Sequence, residues 1–223
     1  VRIGVIGAGR IGGTAARLFA AAGHEVMLSF SRDPDRLRAD AEAIGERASA
    51  GDVADAARFG EVVIFSVPWR LIDAVLAQAG PLEGKVVIDT TNQYGSGGLE
   101  ELPDGQTAAQ VNQARMPGAR LVKAFNTLTS AFQASAAGRE PERRVVIFMA
   151  GDDAEAKATV AGLIEDAGFA PADVGGLDDA AVMEAPRREG AVYGEEYRPA
   201  EAAEVVDAVR AGRPIPPAPA SDD

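Results

Sequence analysis

Residues 1–36 read as strand, glycine turn, helix and strand in immediate succession, and no other stretch constrains the fold as tightly. Residues 1–6 are a short apolar run of the kind that forms a buried parallel strand. Gly7-Ala8-Gly9-Arg10-Ile11-Gly12 follows directly. Residues 14–22 carry Ala15, Leu18, Phe19 and Ala22 at helical spacing, Gly23-His24 stops the helix, and residues 25–30 form a second strand. In such a unit Gly7 permits the sharp turn, Gly9 lets a pyrophosphate approach the backbone, and Gly12 lets helix and strand pack closely. The helix N-terminus then offers free N–H groups and partial positive charge to phosphate. A glycine fingerprint between a strand and a helix, in a βαβ unit of this length, points to dinucleotide binding. Gly7, Gly9, Arg10, Ile11 and Gly12 are its candidate contacts.

The end of the second strand selects the dinucleotide. An acidic residue there would serve the ribose 2′-hydroxyl of NAD. This chain reads Ser31-Arg32-Asp33-Pro34-Asp35-Arg36. A hydroxyl and two guanidinium groups suit a 2′-phosphate, which Arg binds through charge-assisted and often bidentate hydrogen bonds. NADP is therefore expected, held by Ser31, Arg32 and Arg36. Asp33 stands against this as a candidate partner for a 2′-hydroxyl. Ser31 and Asp33 also suit the cap of the next helix, and both roles can coexist.

Composition narrows the chemistry. The chain has 223 residues, 47% of them hydrophobic, no cysteine and one histidine. That removes disulfides, thiolate catalysis and Cys-based clusters, and argues against the usual metal sites. A net charge of -12 argues against nucleic acid and anionic membranes. No apolar run is long enough to cross a bilayer and no signal peptide is read before the first strand, so a cytoplasmic location is expected. His24 lies between the first helix and second strand, and reads as a turn residue rather than a base.

The strand-helix alternation continues beyond residue 36. Residues 35–44 read as a helix and 48–50 as a short strand. Asp52 caps a helix through Phe59, and residues 61–67 are a strand apolar on both faces. Ser66-Val67-Pro68-Trp69 lies at its carboxyl end, where ligands bind in open α/β sheets. Val67 and Pro68 are expected along the cofactor's ribose and nicotinamide. Trp69 either borders the site or anchors the helix that follows. Residues 86–89 form the next strand, ending in Thr90-Thr91-Asn92-Gln93-Tyr94, a polar cluster placed for the nicotinamide carboxamide, a second substrate or a capped loop. Gly95-Ser96-Gly97-Gly98 reads as a flexible loop. Further strands are expected at 120–125, 145–150 and 169–174, with helices at 107–115 and 154–167, a helix from Leu177 to about 184, and a polar helix at 199–211.

The fold expected is α/β, a Rossmann-type doubly wound, mostly parallel sheet with a small C-terminal extension. Residues 1–176 form the NADP-binding domain, with 1–126 as core and 127–176 as sheet extension. Residues 177–212 form a small helical segment, and 213–223 a disordered, Pro-rich tail.

Several segments together resemble the NADP-dependent reductases of the 8-hydroxy-5-deazaflavin coenzyme F-420. They are Gly7-Ala8-Gly9-Arg10-Ile11-Gly12, Ser31-Arg32, Ser66-Val67-Pro68-Trp69, Val87-Ile88-Asp89-Thr90-Thr91-Asn92, Val122-Lys123-Ala124-Phe125-Asn126-Thr127 and Ala150-Gly151-Asp152-Asp153. The resemblance implies hydride transfer between NADPH and a deazaflavin, with no committed catalytic side chain and no metal, since the cofactors carry the reaction. It implies that Ser31, Arg32 and Arg36 hold the 2′-phosphate and that Ser66, Val67, Pro68, Asn92, Ala124 and Asn126 belong to the cofactor site. Trp69, Asn126, Thr127 and Leu128 would border the deazaflavin, and a homodimer is the family's assembly. The chain departs from the family at Asn126, where His is frequent, and at its C-terminus, which is more polar than the helix that builds the family's dimer. Two other functions remain open: an NADPH reductase of a flavin, ferric chelate or imine, and an NADP-binding sensor without turnover.

Overall fold

The computed structural model describes residues 1–31 and 33–219; Arg32 and the last four positions of the expected tail lie outside the described residues. The chain alternates strand and helix from the start: β1 (Arg2–Ile6), α1 (Arg10–Ala21), β2 (Glu25–Ser29), α2 (Pro34–Ile44), β3 (Ala48–Ala50), α3 (Val53–Phe59), β4 (Val62–Phe65), α4 (Ile72–Ala79) and β5 (Val86–Asp89). A short hairpin, β6 (Tyr94–Gly95) and β7 (Gly98–Leu99), leads to α5 (Ala108–Arg115) and β8 (Arg120–Ala124). Then come α6 (Ser130–Ala136), β9 (Val146–Gly151), α7 (Ala154–Asp166), β10 (Ala170–Gly175) and α8 (Pro199–Arg210).

Eight strands form one sheet in the order β10-β9-β8-β5-β4-β1-β2-β3. All neighbours are parallel except β8 and β9. The order reverses between β1 and β4, the switch point of a doubly wound sheet, where a crevice opens outside the carboxyl ends. Alternation along the strands builds two cores. Val63 and Phe65 face one, Val62 and Ile64 the other, as period two requires of a sheet buried on both faces.

Helix boundaries follow from caps. Asp33 accepts from the backbone N–H groups of Asp35 and Arg36 at 3.0 and 3.1 Å, with Pro34 opening α2. Asp52 and Thr107 form capping boxes on α3 and α5. Asp153 caps α7 and also takes a two-pronged ion pair from Arg120, at 2.7 Å on each prong. That guanidinium holds the Asp153 carboxyl well below the usual carboxylate range.

Three local expectations change. The glycine-rich stretch 95–98 is the turn of the β6–β7 hairpin, because Tyr94 pairs with Leu99 across it. The segment after β10 is a 3-10 turn at Asp179–Met183, shorter and tighter than the expected helix. At the end, Ile215 packs against the core and residues 215–218 run beside residues 187–191, so this part of the expected tail lies on the body of the protein. The apolar stripe of α8, Ala202, Val205 and Ala208, is buried within the chain, and the helix packs against β10.

Candidate functional site: a nucleotide cleft and a sealed polar edge

The glycine fingerprint folds as the sequence requires. Gly7 has φ 106°, a conformation that side chains disfavour, and its N–H bonds the Ser29 carbonyl at 3.1 Å. A Cβ at Gly12 would lie 2.1 Å from the Gly7 oxygen, so only glycine lets α1 approach the turn. A Cβ at Gly9 would meet nothing within 4 Å. Gly9 is the N-cap of α1, and among the described residues no side chain caps that helix. Open space above bare helix N–H groups is the cradle a pyrophosphate needs.

This cradle opens into a cleft of about 530 Å³. Its wall includes Gly7, Gly9 and Arg10 at the turn, Ser31 and Arg36 beyond β2, and Ser66 and Pro68 beyond β4. These are the residues the sequence assigned to the nucleotide. Arg36 is three-quarters exposed and lies 3.7 Å from Asp40, a loose i,i+4 pair that leaves it available. The Asp33 carboxylate is occupied as the cap of α2, and Ser31 Oγ accepts from the Asp33 N–H at 3.2 Å. Capping therefore takes the one acid that argued for a 2′-hydroxyl. Phe30, just before this corner, has φ 55°, a strained value for an aromatic residue, and lines the same cleft.

Sequence reasoning missed several wall residues. Thr14 and Arg17 join from the second and third turns of α1, and Asp40 and Ile44 from α2. Their i,i+3 and i,i+4 spacing was the available signal, because it places them on the faces that flank β2.

Other expected contacts sit deeper. Ile11 is half-buried against the core, and Gly12 is buried as a packing position. Val67 is 5% exposed and belongs to the core. Ala124 is buried inside β8 and Leu128 packs in the core, so the structure places neither side chain in the cleft. Trp69 is an anchor: it is buried, and the Arg115 guanidinium lies 4.6 Å from its ring centroid. Of the two readings of Trp69, a border of the site or an anchor for the following helix, its burial supports the anchor. His24 also lies apart, bonding Asp166 at 3.1 Å between α1 and β2.

Beyond β5 and β8 the structure joins Asn92, Asn126 and Thr127 into one polar edge. Asn92 Nδ2 donates to the Asn126 carbonyl at 3.0 Å, and Asn126 Nδ2 donates to the Met183 carbonyl at 2.7 Å and to Asn92 Oδ1 at 3.2 Å. Asn126 Oδ1 is buried and has no partner among the described residues. Phe125, immediately before it, has φ 60°. Buried Gln133 holds this strained loop by donating to the carbonyls of Phe125 and Leu128 at 3.2 and 2.9 Å.

Behind that edge lies a network for which no role was read in the sequence. Lys123 and Asp89 are fully buried, paired at 2.9 Å on adjacent strands. Lys123 also donates to the Thr91 carbonyl. Asn112 donates to Asp89 Oδ2 and to Thr91 Oγ1, both at 2.9 Å, and the Thr91 N–H bonds Asp89 Oδ1. The ion pair is thus satisfied from several sides, the condition under which a buried pair is tolerable. It fixes the backbone at Thr91, one residue before Asn92. Glu184, also buried, accepts from the N–H groups of Ala108 and Ala109 at 2.8 Å each and ties the C-terminal segment to α5.

A doubly wound sheet, a glycine cradle at its switch point and a basic, hydroxyl-bearing corner beyond β2 define a Rossmann dinucleotide-binding protein. Residues 2–93 match the family described as NADP oxidoreductase, coenzyme F420-dependent. Over that segment the chain resembles NADP-dependent oxidoreductases. The metalloreductase STEAP3 of Rattus norvegicus is 30% identical over 184 residues, which make up 82% of this chain and 36% of that protein. The chain thus spans well under half of that relative. A hypothetical protein from Sinorhizobium meliloti superposes with TM-score 0.77 at 29% identity, covering 89% of this chain and 95% of the other. A candidate F420-dependent NADP reductase from Arthrobacter sp. FB24 gives TM-score 0.66 at 29% identity, covering 80% and 86%. A reductive aminase from Aspergillus terreus, solved with NADPH and ethyl levulinate, shares the fold at 21% identity and TM-score 0.55, over 79% of this chain and 55% of that one.

Proposed function

We propose that the protein transfers a hydride between NADPH and the deazaflavin coenzyme F-420. The observation that carries the reading is the cleft itself: a helix N-terminus at Gly9 without a side-chain cap among the described residues, sharing one wall with Ser31 and Arg36, mostly within a segment that matches the coenzyme F420-dependent family. Gly7, Gly9 and Gly12 shape the pyrophosphate cradle, Arg10 stands beside it, and Ser31, Arg32 and Arg36 hold the 2′-phosphate. Ser66, Pro68, Asn92 and Asn126 orient the nicotinamide end, with Asn126 Oδ1 free to accept a hydrogen bond. Bound NADPH supplies the hydride. The chain's own contribution is position: the Lys123–Asp89 pair and Gln133 hold the Asn92 and Asn126 loops, so that an acceptor ring meets the nicotinamide at a fixed distance and angle.

The test is anaerobic mixing with NADPH and oxidised coenzyme F-420, following loss of the deazaflavin's visible absorbance, and repeated with NADH. Turnover with NADPH and little or none with NADH is expected. NADPH binding without deazaflavin reduction would refute the acceptor assignment. A second reading, reduction of a flavin or ferric chelate, is favoured by the likeness to a metalloreductase over most of this chain. Either acceptor added in place of the deazaflavin distinguishes it.

A further inference from the structure

Two tyrosines far apart in the sequence meet beside the polar edge beyond β5 and β8. Tyr94 stands on β6 and Tyr193 on the segment after the 3-10 turn at Asp179–Met183, and their hydroxyls are 3.5 Å apart. We propose that Tyr94 and Tyr193 form the wall that receives the hydride acceptor, and that they select a flat conjugated ring with hydrogen-bond acceptors on its edge. The proposal rests on the reading of the cleft as the NADPH site.

Placement comes first. The β6–β7 hairpin packs against the turn at Trp69–Leu71, and Pro68 and Leu71 line the cleft. A dinucleotide with its phosphates at Gly9 and Ser31 therefore runs its other end toward Pro68 and the hairpin. Both tyrosines are fastened to the polar edge beyond β5 and β8. The Tyr94 N–H bonds the Asn92 carbonyl at 2.7 Å, and the N–H of Gly194, next to Tyr193, bonds the Thr127 carbonyl at 2.9 Å. Gln93 donates to the Ala185 carbonyl at 3.1 Å, which ties the hairpin to the segment that carries Tyr193.

Surface chemistry comes second. Tyr94 is 45% exposed, and Leu99, its partner across the hairpin, is 41% exposed. Together they set an aromatic ring and an aliphatic side chain in solvent beside the turn at Trp69–Leu71, which is the surface a flat ring covers well. The two hydroxyls carry two protons between them. One hydroxyl can donate to the other, and the second proton is then free for a carbonyl oxygen or ring nitrogen on the incoming molecule. Burial and the Tyr94 hydroxyl push the Tyr193 phenol up from its ordinary range. Both side chains lie outside the cleft wall at Gly9 and outside the Lys123–Asp89 network.

The test is an equilibrium titration of NADP+-saturated protein with oxidised coenzyme F-420 and, separately, with FMN, read by fluorescence of the probe. Wild type is compared with Tyr94→Phe, Tyr193→Phe and Tyr94→Ala. Loss of one hydroxyl is expected to weaken probe binding roughly three- to tenfold, and loss of the Tyr94 ring on the order of tenfold or more. NADP+ affinity and thermal midpoint are expected to stay at wild-type values in all three. Unchanged probe affinity in a wild type that turns over an acceptor would sink this proposal and leave the proposed function standing. Probe and NADP+ affinities falling by the same factor would mean a structural role and also overturn it. A change in sedimentation with no change in probe affinity would assign the hairpin to a contact between copies. A wild type that binds neither probe and oxidises no NADPH would remove both this proposal and the function beneath it.

Discussion

The two edges of the site are built in opposite ways. Beyond β1 and β2 the chain presents open backbone and exposed arginine, with Gly9 facing empty space and Arg36 in a loose pair. Beyond β5 and β8 it seals charge and amide groups in the interior: Asp89, Lys123, Asn112 and Gln133 are all essentially inaccessible. The first edge has to receive a polyanion from water, and bare N–H groups with solvated guanidinium do this without a buried charge. On the proposed function the second holds a reacting ring in one orientation, and this asks for rigidity more than for charge. On the proposed function, specificity for the nucleotide and geometry for the transfer fall to different residues, which makes them separable by mutation.

Breaking the sealed edge has the largest expected effect. Lys123→Met leaves Asp89 buried without its cation, and a loss of about 3–5 kcal/mol is expected in urea unfolding. Replacing both partners, Lys123→Met with Asp89→Leu, should recover part of that loss, because no unpaired charge remains. If the single substitution left stability unchanged, the network would not be the rigid element described.

The glycines sharpen the contrast within the open edge. Gly12→Ala places a Cβ against the Gly7 carbonyl, so a loss on the order of 1–3 kcal/mol of stability is expected, together with lost NADPH binding. Gly9→Ala adds a Cβ to open space. Its melting temperature should hold while NADPH binding weakens on the order of tenfold, about 1.4 kcal/mol. Equal effects of the two substitutions on folding would contradict the geometry of the cradle.

Arg36→Ala addresses charge alone. NADPH affinity should fall about tenfold, the size of one charge-assisted hydrogen bond, with NADH affinity unaffected in calorimetric titration.

The open edge was legible in the sequence because its function is local. Residues 1–36 carry the turn, the helix and the phosphate corner within one βαβ unit, so spacing alone identifies them. The sealed edge was not, because Lys123 and Asp89 meet only when β5 and β8 pair, and Asn112 reaches them from α5. Lys123 belonged to the segment that carried the resemblance, yet its burial and partner follow from the sheet order. Trp69 shows the same limit: its neighbour Arg115 lies 46 positions away in sequence, and its burial was not visible from the Pro68-Trp69 pair. The Ala150-Gly151-Asp152-Asp153 motif turns out to serve folding. Asp153 caps α7 and pairs with Arg120, and Asp152 accepts from the Leu177 N–H at 2.8 Å, all at the start of β8 and the end of the antiparallel β9.

The central claim is direct hydride transfer from NADPH to a deazaflavin carbon. NADPH deuterated at the transferred position of C4 is mixed anaerobically with oxidised coenzyme F-420 and the protein, and the reduced deazaflavin is weighed by mass spectrometry. Because the accepting atom is carbon, a transferred deuterium stays in place: the product should be about one mass unit heavier. Reduced deazaflavin without the label, or no reduction at all while NADPH remains bound, would contradict it.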